Sequence, residues 1–299
     1  MIKTVYQADL TEVKNFLLSK LSEVLIPDKY SELKYMLDEL RDKQQSSAIY
    51  IAFSKVVRMF GKAPINYKPG QVEQADIIRK NWLPPSSVDK AIRVLILFEI
   101  PHEHDETYIN TLEELFGSGD MGELIALYSA LPVLPYPDQL IKRCEEGIRT
   151  NMGDVFESVG NNNPFPADYL SEDAFNQMVL KCMFIGKPLY KVINLNHRLN
   201  KALAVMALDY AHERWAALRK INPELWQLIA PFLESKDLKD VERSLWTGDE
   251  LERRAVVLAC AESQSTEMLY IYNESNYKQQ IESGELNWFT IGVEVWRNN

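Results

Sequence analysis

Residues 102–106 (HEHDE) are the densest run of side chains that could bind a metal ion. Imidazole nitrogens and carboxylate oxygens are common ligands of zinc and iron. Residues two apart on a helix point to different faces, so His102 and His104 would not converge there. The run follows Pro101 and precedes a predicted helix, where acidic side chains interact favourably with the helix dipole. The pattern is therefore more typical of a solvent-exposed loop than of a metal site.

A second group that could do chemistry is Asp209, His212 and Glu213, followed by Arg214 and Trp215. The first three lie at positions i, i+3 and i+4 of a predicted helix and therefore share one side of it. A carboxylate that orients an imidazole suits acid–base catalysis or ligand binding. The same spacing is typical of a polar seam that connects neighbouring helices, and the sequence favours this second interpretation.

The third group begins in the turn-rich segment 161–169, which we expect to be a loop. Prolines on both sides of Phe165 stiffen the segment, and we expect that ring to pack against other residues. The next predicted helix, residues 171–185, has a wide apolar face and is expected to be central. Asn176 and Lys181 would then be polar groups on a mostly buried helix, and buried polar groups need partners. They either face a ligand, bond to the preceding loop, or reach solvent.

We expect segments 161–169, 171–185 and 209–215 to meet and to form the main polar cleft or partner-binding surface. No residue is assigned a catalytic role. The candidate residues for binding a ligand or partner are Asn163, Phe165, Asn176, Lys181, Asp209, His212, Arg214 and Trp215.

The elements that must position these residues are helices. Apolar residues recur at the i, i+3, i+4, i+7 spacing in nearly every window, and glycine is scarce at 12 of 299 residues. Residues 290–296 have some strand character but are too short and isolated to form a sheet. The sequence predicts an all-α fold, either an α-solenoid of the HEAT kind or an irregular multi-helix bundle, with no significant sheet. The main predicted helices are 11–25, 30–40, 47–60, 88–99, 107–116, 120–131, 138–150, 151–159, 171–185, 200–218, 238–246 and 250–261.

Residues 119–126 (GDMGELIA) resemble residues 248–255 (GDELERRA), and a second alanine follows four residues later in each. Each stretch has a glycine stop, an aspartate that could cap a helix, and a glutamate three residues further on, as in a capping box. We therefore expect Asp120 and Asp249 to cap helices. Small residues on one face allow neighbouring helices to approach closely, as stacked helical repeats require.

Charge and composition exclude several classes of protein. The formal net charge is −10, and no Lys/Arg run exceeds two residues, so we expect no binding to nucleic acid or to anionic lipid. No stretch approaches the ~20 apolar residues of a membrane-spanning helix, and the first residues lack the features of a signal peptide. The three cysteines are widely spaced and odd in number, which is not a disulfide framework. We expect a cytoplasmic protein that does not span a membrane.

Six motifs in order resemble the EboA family. The resemblance is strongest over residues 160–265 and weaker back to about residue 45. It suggests a helical N-terminal extension at 1–45, an EboA-like helical domain at 46–265, and a helical tail at 266–299 packed on the same domain. The motifs are NPFP at 163–166, NQMVLK at 176–181, GKPL at 186–189, DYAHERWAA at 209–217, PELW at 223–226 and LERRA at 251–255.

The resemblance implies a protein encoded in the ebo gene cluster of bacteria and algal plastids. That cluster is linked to making or moving a secondary metabolite, including the precursor of the pigment scytonemin. Members of the family have no established reaction, so no catalytic residues carry over. The implied partners are a small-molecule metabolite or other proteins of the cluster.

Two functions remain open. The first is a non-enzymatic α-helical binding or scaffold protein in metabolite trafficking, which fits the missing signatures of nucleotide binding, serine hydrolysis and zinc proteolysis. The alternative is an enzyme of an unrecognised type with a pocket around Asp209, His212 and Lys181. Convergence of these side chains on one concave pocket would favour the enzyme.

We predict that the protein binds no zinc or iron tightly and needs no cofactor. Its four histidines and three cysteines give no ligand set at the usual spacing. Elemental analysis of native protein should therefore find these metals well below one atom per chain, and stoichiometric metal would contradict the prediction.

Overall fold

A computed structural model describes residues 8–297, and their regular secondary structure is helical. Within that range no strand forms, and the one isolated bridge joins Pro64 to Ser87. The expected all-α fold is confirmed. The nineteen α-helices of the described residues are α1 (Leu10–Val24), α2 (Pro27–Lys43), α3 (Ser46–Phe60), α4 (Pro69–Ile78), α5 (Val88–Leu97), α6 (Asp105–Ser118), α7 (Met121–Ala130), α8 (Ile141–Arg149), α9 (Gly153–Gly160), α10 (Phe165–Tyr169), α11 (Glu172–Ile185), α12 (Leu195–Arg198), α13 (Lys201–Ala216), α14 (Leu225–Ile229), α15 (Leu238–Thr247), α16 (Glu250–Glu262), α17 (Thr266–Asn273), α18 (Lys278–Glu282) and α19 (Trp288–Arg297).

The chain divides into two compact units, of which unit 1 ends at Ser171 and unit 2 begins at Glu172. Residues 1–7 of the expected N-terminal extension and residues 298–299 of the expected tail lie outside the described residues. The expected domain boundaries after residues 45 and 265 stay a prediction.

Unit 1 is organised around α5. Helices α3, α5, α7 and α9 pack in series, each on the next, and α1 and α2 also pack on α5. Nine of the ten residues of α5 are buried, and the tenth, Lys90, is half-buried. A helix that is apolar on nearly every side has to lie inside the structure, because each exposed aliphatic side chain would forfeit roughly 1.5–3 kcal/mol of burial.

The buried helix α5 carries a cation in its interior: Arg93 is only 2% exposed. Its guanidinium lies 3.0 Å from Asp89 Oδ2 on the same helix and 3.8 Å from Glu123 Oε1 on α7. It also donates to the Phe53 carbonyl of α3 at 3.3 Å and lies over the Phe53 ring, 5.3 Å from the centroid. Ser87 donates to the other Asp89 oxygen at 2.6 Å. A buried charge is tolerated when it is paired and hydrogen-bonded in this way.

Unit 2 is organised around α16, which packs on α14, α15, α17 and α19, while α13 packs on α11 and α14. Six consecutive residues of α16, from Ala255 to Cys260, are buried. Ala255 and Ala259 are fully buried, so their small side chains let the neighbouring helices approach α16 closely.

The internal similarity corresponds to the same junction in both units. Asp120 Oδ1 accepts a hydrogen bond from the Glu123 amide at 2.8 Å, and Glu123 Oε2 accepts one from the Asp120 amide at 3.0 Å, which completes a capping box. Asp249 accepts from the Glu252 amide at 3.1 Å. Both predicted caps are therefore confirmed.

The position before each capping aspartate has room only for a glycine. A Cβ on Gly119 would lie 2.9 Å from the Leu115 carbonyl oxygen, and one on Gly248 would lie 2.4 Å from that of Ser244. Only glycine allows the chain to turn so closely past the end of the preceding helix.

Two segments differ from the sequence-based expectations. Segment 161–169, expected to be a loop, contains the short helix α10, in which Pro166 occupies the first turn, a position where a missing N–H is tolerated. Segment 290–296, which had some strand character, lies in α19. Ile291 and Val295 are one helical turn apart and buried, and burial on one face overrides a local preference for strand.

We predict that Arg93→Met destabilises the protein by about 3 kcal/mol, because it leaves the Asp89 and Glu123 carboxylates buried without their cation. Urea denaturation followed by circular dichroism measures the change. Arg58 is exposed on α3, so Arg58→Met is the matched control and should shift the unfolding free energy by less than about 0.5 kcal/mol. Equal effects of the two substitutions would contradict a structural role for the Arg93 charge.

The cysteines generate a second prediction. Cys144, Cys182 and Cys260 are all buried, as expected for Cys182 and Cys260. Burial raises the pKa of the Cys260 thiol to about 12 and that of Cys144 above its usual range. Because the thiolate is the reactive form, we predict no fast reaction with Ellman's reagent at pH 8 in the native protein and three reactive thiols in guanidinium. Ser47→Cys, at an exposed position, should react at once, and a fast thiol in the unmodified chain would contradict the prediction.

Candidate functional site

Unit 1 has a cleft of about 410 Å³ on the side of α5 where Lys90 lies. Its residues come from four places in the chain: the loop before α5, α5 itself, α7, and α9 with the turn that follows. The residues that line it are Leu83, Pro84, Pro85, Ser86, Lys90, Ile125, Ser129, Asp154, Glu157, Ser158, Asn161, Asn162 and Asn163.

The asparagine turn after α9 forms one wall of this cleft. Asn163 is 4% exposed, and its amide nitrogen donates to the Tyr128 and Ser158 carbonyls, both at 3.0 Å. Its amide oxygen accepts from the Phe165 backbone at 3.0 Å. Asn162 has a positive φ of 54°, which asparagine tolerates better than most residues. The predicted residue Asn163 therefore lies at the cleft, where its amide holds the wall in place.

Phe165 lies behind the wall and is fully buried. Its ring packs on that of Tyr169 at 4.6 Å between centroids, which confirms the expectation that it packs against other residues. An ion pair between Asp168 and Arg79 connects α10 to the end of α4. The Arg79 guanidinium also donates to the Pro132 carbonyl at 3.1 Å. Phe165 supports the asparagine turn from inside unit 1.

The lining of the cleft combines apolar residues with charged and hydroxyl groups. Leu83, Pro84, Pro85 and Ile125 supply apolar surface. The lining also contains one ammonium group, two carboxylates and three serine hydroxyls, which can hydrogen-bond to a small polar molecule. These residues are Lys90, Asp154, Glu157, Ser86, Ser129 and Ser158.

Of the predicted residues in unit 2, His212 and Trp215 form an interhelix contact. His212 Nε2 lies 2.9 Å from Asp240 Oδ2 of α15, so the carboxylate that contacts this imidazole is on another helix and is not Asp209. Trp215 is 9% exposed, with the Arg243 guanidinium 4.9 Å from its ring centroid. This is the geometry of a seam between α13 and α15.

The other predicted residues of unit 2 lie on α11 and α13. Asn176 is 2% exposed and exchanges two amide hydrogen bonds with Asn200, at 3.1 and 2.9 Å, while Asn200 caps α13. Arg214 donates twice to the Lys220 carbonyl. Asp209 is exposed, and partial burial lowers the pKa of the Lys181 ammonium.

Segment 161–169 belongs to unit 1, and segments 171–185 and 209–215 lie in unit 2 apart from Ser171. The expected meeting of the three segments stays a prediction.

Sequence analysis missed the part of the cleft formed by the Pro84-Pro85-Ser86 loop, Lys90 and α7. Two signals were available. Adjacent prolines mark a stiff loop, and Lys90 lies in the first turn of a mostly apolar helix. Ile125 and Ser129 are one turn apart on α7 and so share a face, but periodicity alone does not show that this face lines a cleft.

Across the described residues, no three His, Cys, Asp or Glu side chains lie together in a way that could hold a metal ion. No helix within residues 8–297 is both long enough and apolar enough to cross a membrane.

The sequence profile of one family, described as "Metabolite traffic protein EboA", matches residues 13–230. No match to the chain was found among curated proteins or among solved structures. The profile covers well over half of the 299 residues, including the cleft of unit 1 and all eight residues singled out from the sequence. The chain therefore belongs to the EboA family of metabolite traffic proteins.

Proposed function

We propose that this protein is a non-enzymatic, cytoplasmic binding protein that holds a small-molecule secondary metabolite during its biosynthesis or trafficking. The observation that carries the proposal is membership of a family described by metabolite traffic. The motifs resemble the EboA family, and that resemblance implies the ebo gene cluster. We therefore extend the proposal to a metabolite of the scytonemin-precursor kind and to other proteins of that cluster as partners.

The cleft of unit 1 supports the proposal by its size and chemistry. Its volume of about 410 Å³ falls within the ~300–1,000 Å³ of pockets that hold small ligands. A lining that combines apolar residues with charged and hydroxyl groups suits an amphipathic molecule with polar substituents. We assign the metabolite to this cleft, with Lys90, Ser129 and Asn162 among the residues that contact it.

The walls of the cleft are preorganised, which also favours binding. Pro84 and Pro85 restrict one wall, and the three hydrogen bonds of Asn163 restrain the other. A site that is already rigid loses less conformational entropy when a ligand binds.

A role in protein binding rests on different features. The serial packing of α3, α5, α7 and α9 is what a helical solenoid of the HEAT kind would show, and such stacks commonly bind other proteins. In unit 2, Asp209 and His212 are exposed, and with Asn176, Lys181, Arg214 and Trp215 we assign α11 and α13 to a partner from the same cluster.

We predict that Ser129→Phe removes the bound metabolite without unfolding the protein, because the ring fills a cleft that a half-buried serine now lines. Native protein is purified, and the small molecules that it carries are identified by liquid chromatography and mass spectrometry. Ser47→Phe, at an exposed position on α3, is the matched control and should carry the same compound as the unmodified chain.

Substitutions at two residues of the alternative pocket distinguish it from the cleft of unit 1. Lys181→Met and His212→Leu should leave the carried compound in place, since neither residue lines the cleft of unit 1. Loss of the compound in these variants with an unchanged melting temperature, or equal loading of the Ser129→Phe and Ser47→Phe variants, would contradict the assignment to unit 1.

A further inference from the structure

Unit 2 contains a separate cleft of about 280 Å³ between segment 189–197, α14 and the start of α19. The rings of Tyr190, Trp288 and Phe289 line it, together with the imidazole of His197 and the amides of Asn194, Asn196 and Gln227. The family match ends at residue 230, so α19, which supplies two of the aromatic rings, lies beyond it.

Two of the three rings in the aromatic wall, Tyr190 and Trp288, are held in place by their neighbours. The rings of Tyr190 and Phe289 meet edge to face, 5.7 Å apart and at 84°. A Cβ on Gly292 would lie 2.5 Å from Tyr190 Cβ, so only glycine at this position lets Tyr190 lie against α19. Trp288 is 7% exposed, and its indole nitrogen donates to Glu262 at 2.7 Å. Tyr190 and Trp288 are thus anchored, whereas Phe289 is 63% exposed.

The polar group of interest in this cleft is Gln227, which is 5% exposed. Its Nε2 donates to Asn196 Oδ1 at 2.7 Å, but its Oε1 has no hydrogen-bond partner among the described residues. Exchanging the assigned amide atoms of both residues would pair Oε1 and leave Nε2 without a partner instead. Either way one buried polar atom of Gln227 is unsatisfied, which is unfavourable and rare in native proteins.

We propose that this cleft binds a planar aromatic small molecule whose N–H group donates to Gln227 Oε1. The rings of Tyr190, Trp288 and Phe289 provide stacking and edge-to-face contacts to such a molecule, and its N–H supplies the missing donor. The site lies wholly in unit 2 and does not depend on the ligand assigned to unit 1.

The accessible area of Gln227 Oε1 is below 1 Å², so the proposal requires the wall of the cleft to adjust when a ligand binds. Phe289 is the side chain of the aromatic wall best able to adjust, because it is 63% exposed.

The test uses two probes, benzimidazole and 1-methylbenzimidazole, which have the same ring system but only the first of which has an N–H group. Calorimetric or ligand-observed NMR titration of the full chain measures both affinities at neutral pH. One net hydrogen bond corresponds to about a five-fold difference in Kd, so benzimidazole should bind about five-fold more tightly. The indole N–H signal of Trp288, assigned with Trp288→Phe, should shift on binding.

Variants assign that preference to the residues of the cleft. Gln227→Met keeps the length of the side chain but lacks the acceptor, and should bind the two probes equally. Phe289→Ala should weaken both probes alike, whereas Tyr270→Ala, an exposed aromatic outside the lining, should weaken neither. Ser129→Phe fills the cleft of unit 1 and should leave probe binding unchanged, which separates the two sites.

Three outcomes would overturn the proposal. Equal affinities of the unmodified chain for the two probes would mean that Gln227 Oε1 receives no donor from the ligand. A preference that survives in a folded Gln227→Met variant would place the recognition elsewhere. A Phe289→Ala variant with unchanged probe binding but a different oligomeric state would identify the aromatic wall as a surface for self-association.

Discussion

The buried guanidinium of Arg93 constrains how three helices of unit 1 are placed. A cation inside an apolar helix bundle is tolerated when it is paired and hydrogen-bonded by acceptors held in the right places. Here α3 contributes the Phe53 carbonyl, α5 contributes Asp89, and α7 contributes Glu123. Because Glu123 also closes the capping box of α7, the charge fixes where α7 begins relative to α5. The positions of Ile125 and Ser129 relative to Lys90, and hence the cleft, follow from that arrangement.

The glycine–aspartate junction shows how one local solution organises a helix in each unit. Gly119 and Gly248 let the chain pass closely over the end of one helix, and the following aspartate starts the next. In both places the glutamate three residues further on is buried. The surroundings of the two glutamates differ. Glu123 lies 3.8 Å from the buried guanidinium of Arg93, whereas burial raises the pKa of the Glu252 carboxyl. The junction therefore sets the start of α7 and α16 in the same way and leaves the polar interior of each unit to its own residues.

The sequence predicted the helices well because their signals are local: apolar periodicity, capping aspartates and glycine stops. It was wrong about α10 because prolines in the first turn of a helix look the same as prolines in a loop. The cleft of unit 1 was predicted only through Asn163, because the loop before α5 lies far from the asparagine turn in the sequence. The spacing of Asp209 and His212 fits either a pair on one helix or a seam between helices, and the sequence favours the seam. The carboxylate that the imidazole contacts is Asp240, which the sequence does not identify because the contact depends on how α13 packs against α15.

Three buried amides show why residue type alone does not identify a ligand-binding group. Asn163 satisfies its amide with three backbone partners, and Asn176 satisfies its own with Asn200. Both amides are therefore engaged within the protein, and the binding role that the sequence suggests for them stays a prediction. Gln227 drew no attention in the sequence, yet it retains an unused acceptor beside an aromatic wall. Burial without a hydrogen bond is energetically unfavourable, so capacity left over after the protein's own contacts indicates where a ligand would be recognised. Which polar atoms keep unused hydrogen-bonding capacity depends on the packing of helices that are distant in the sequence, so only the folded chain determines it.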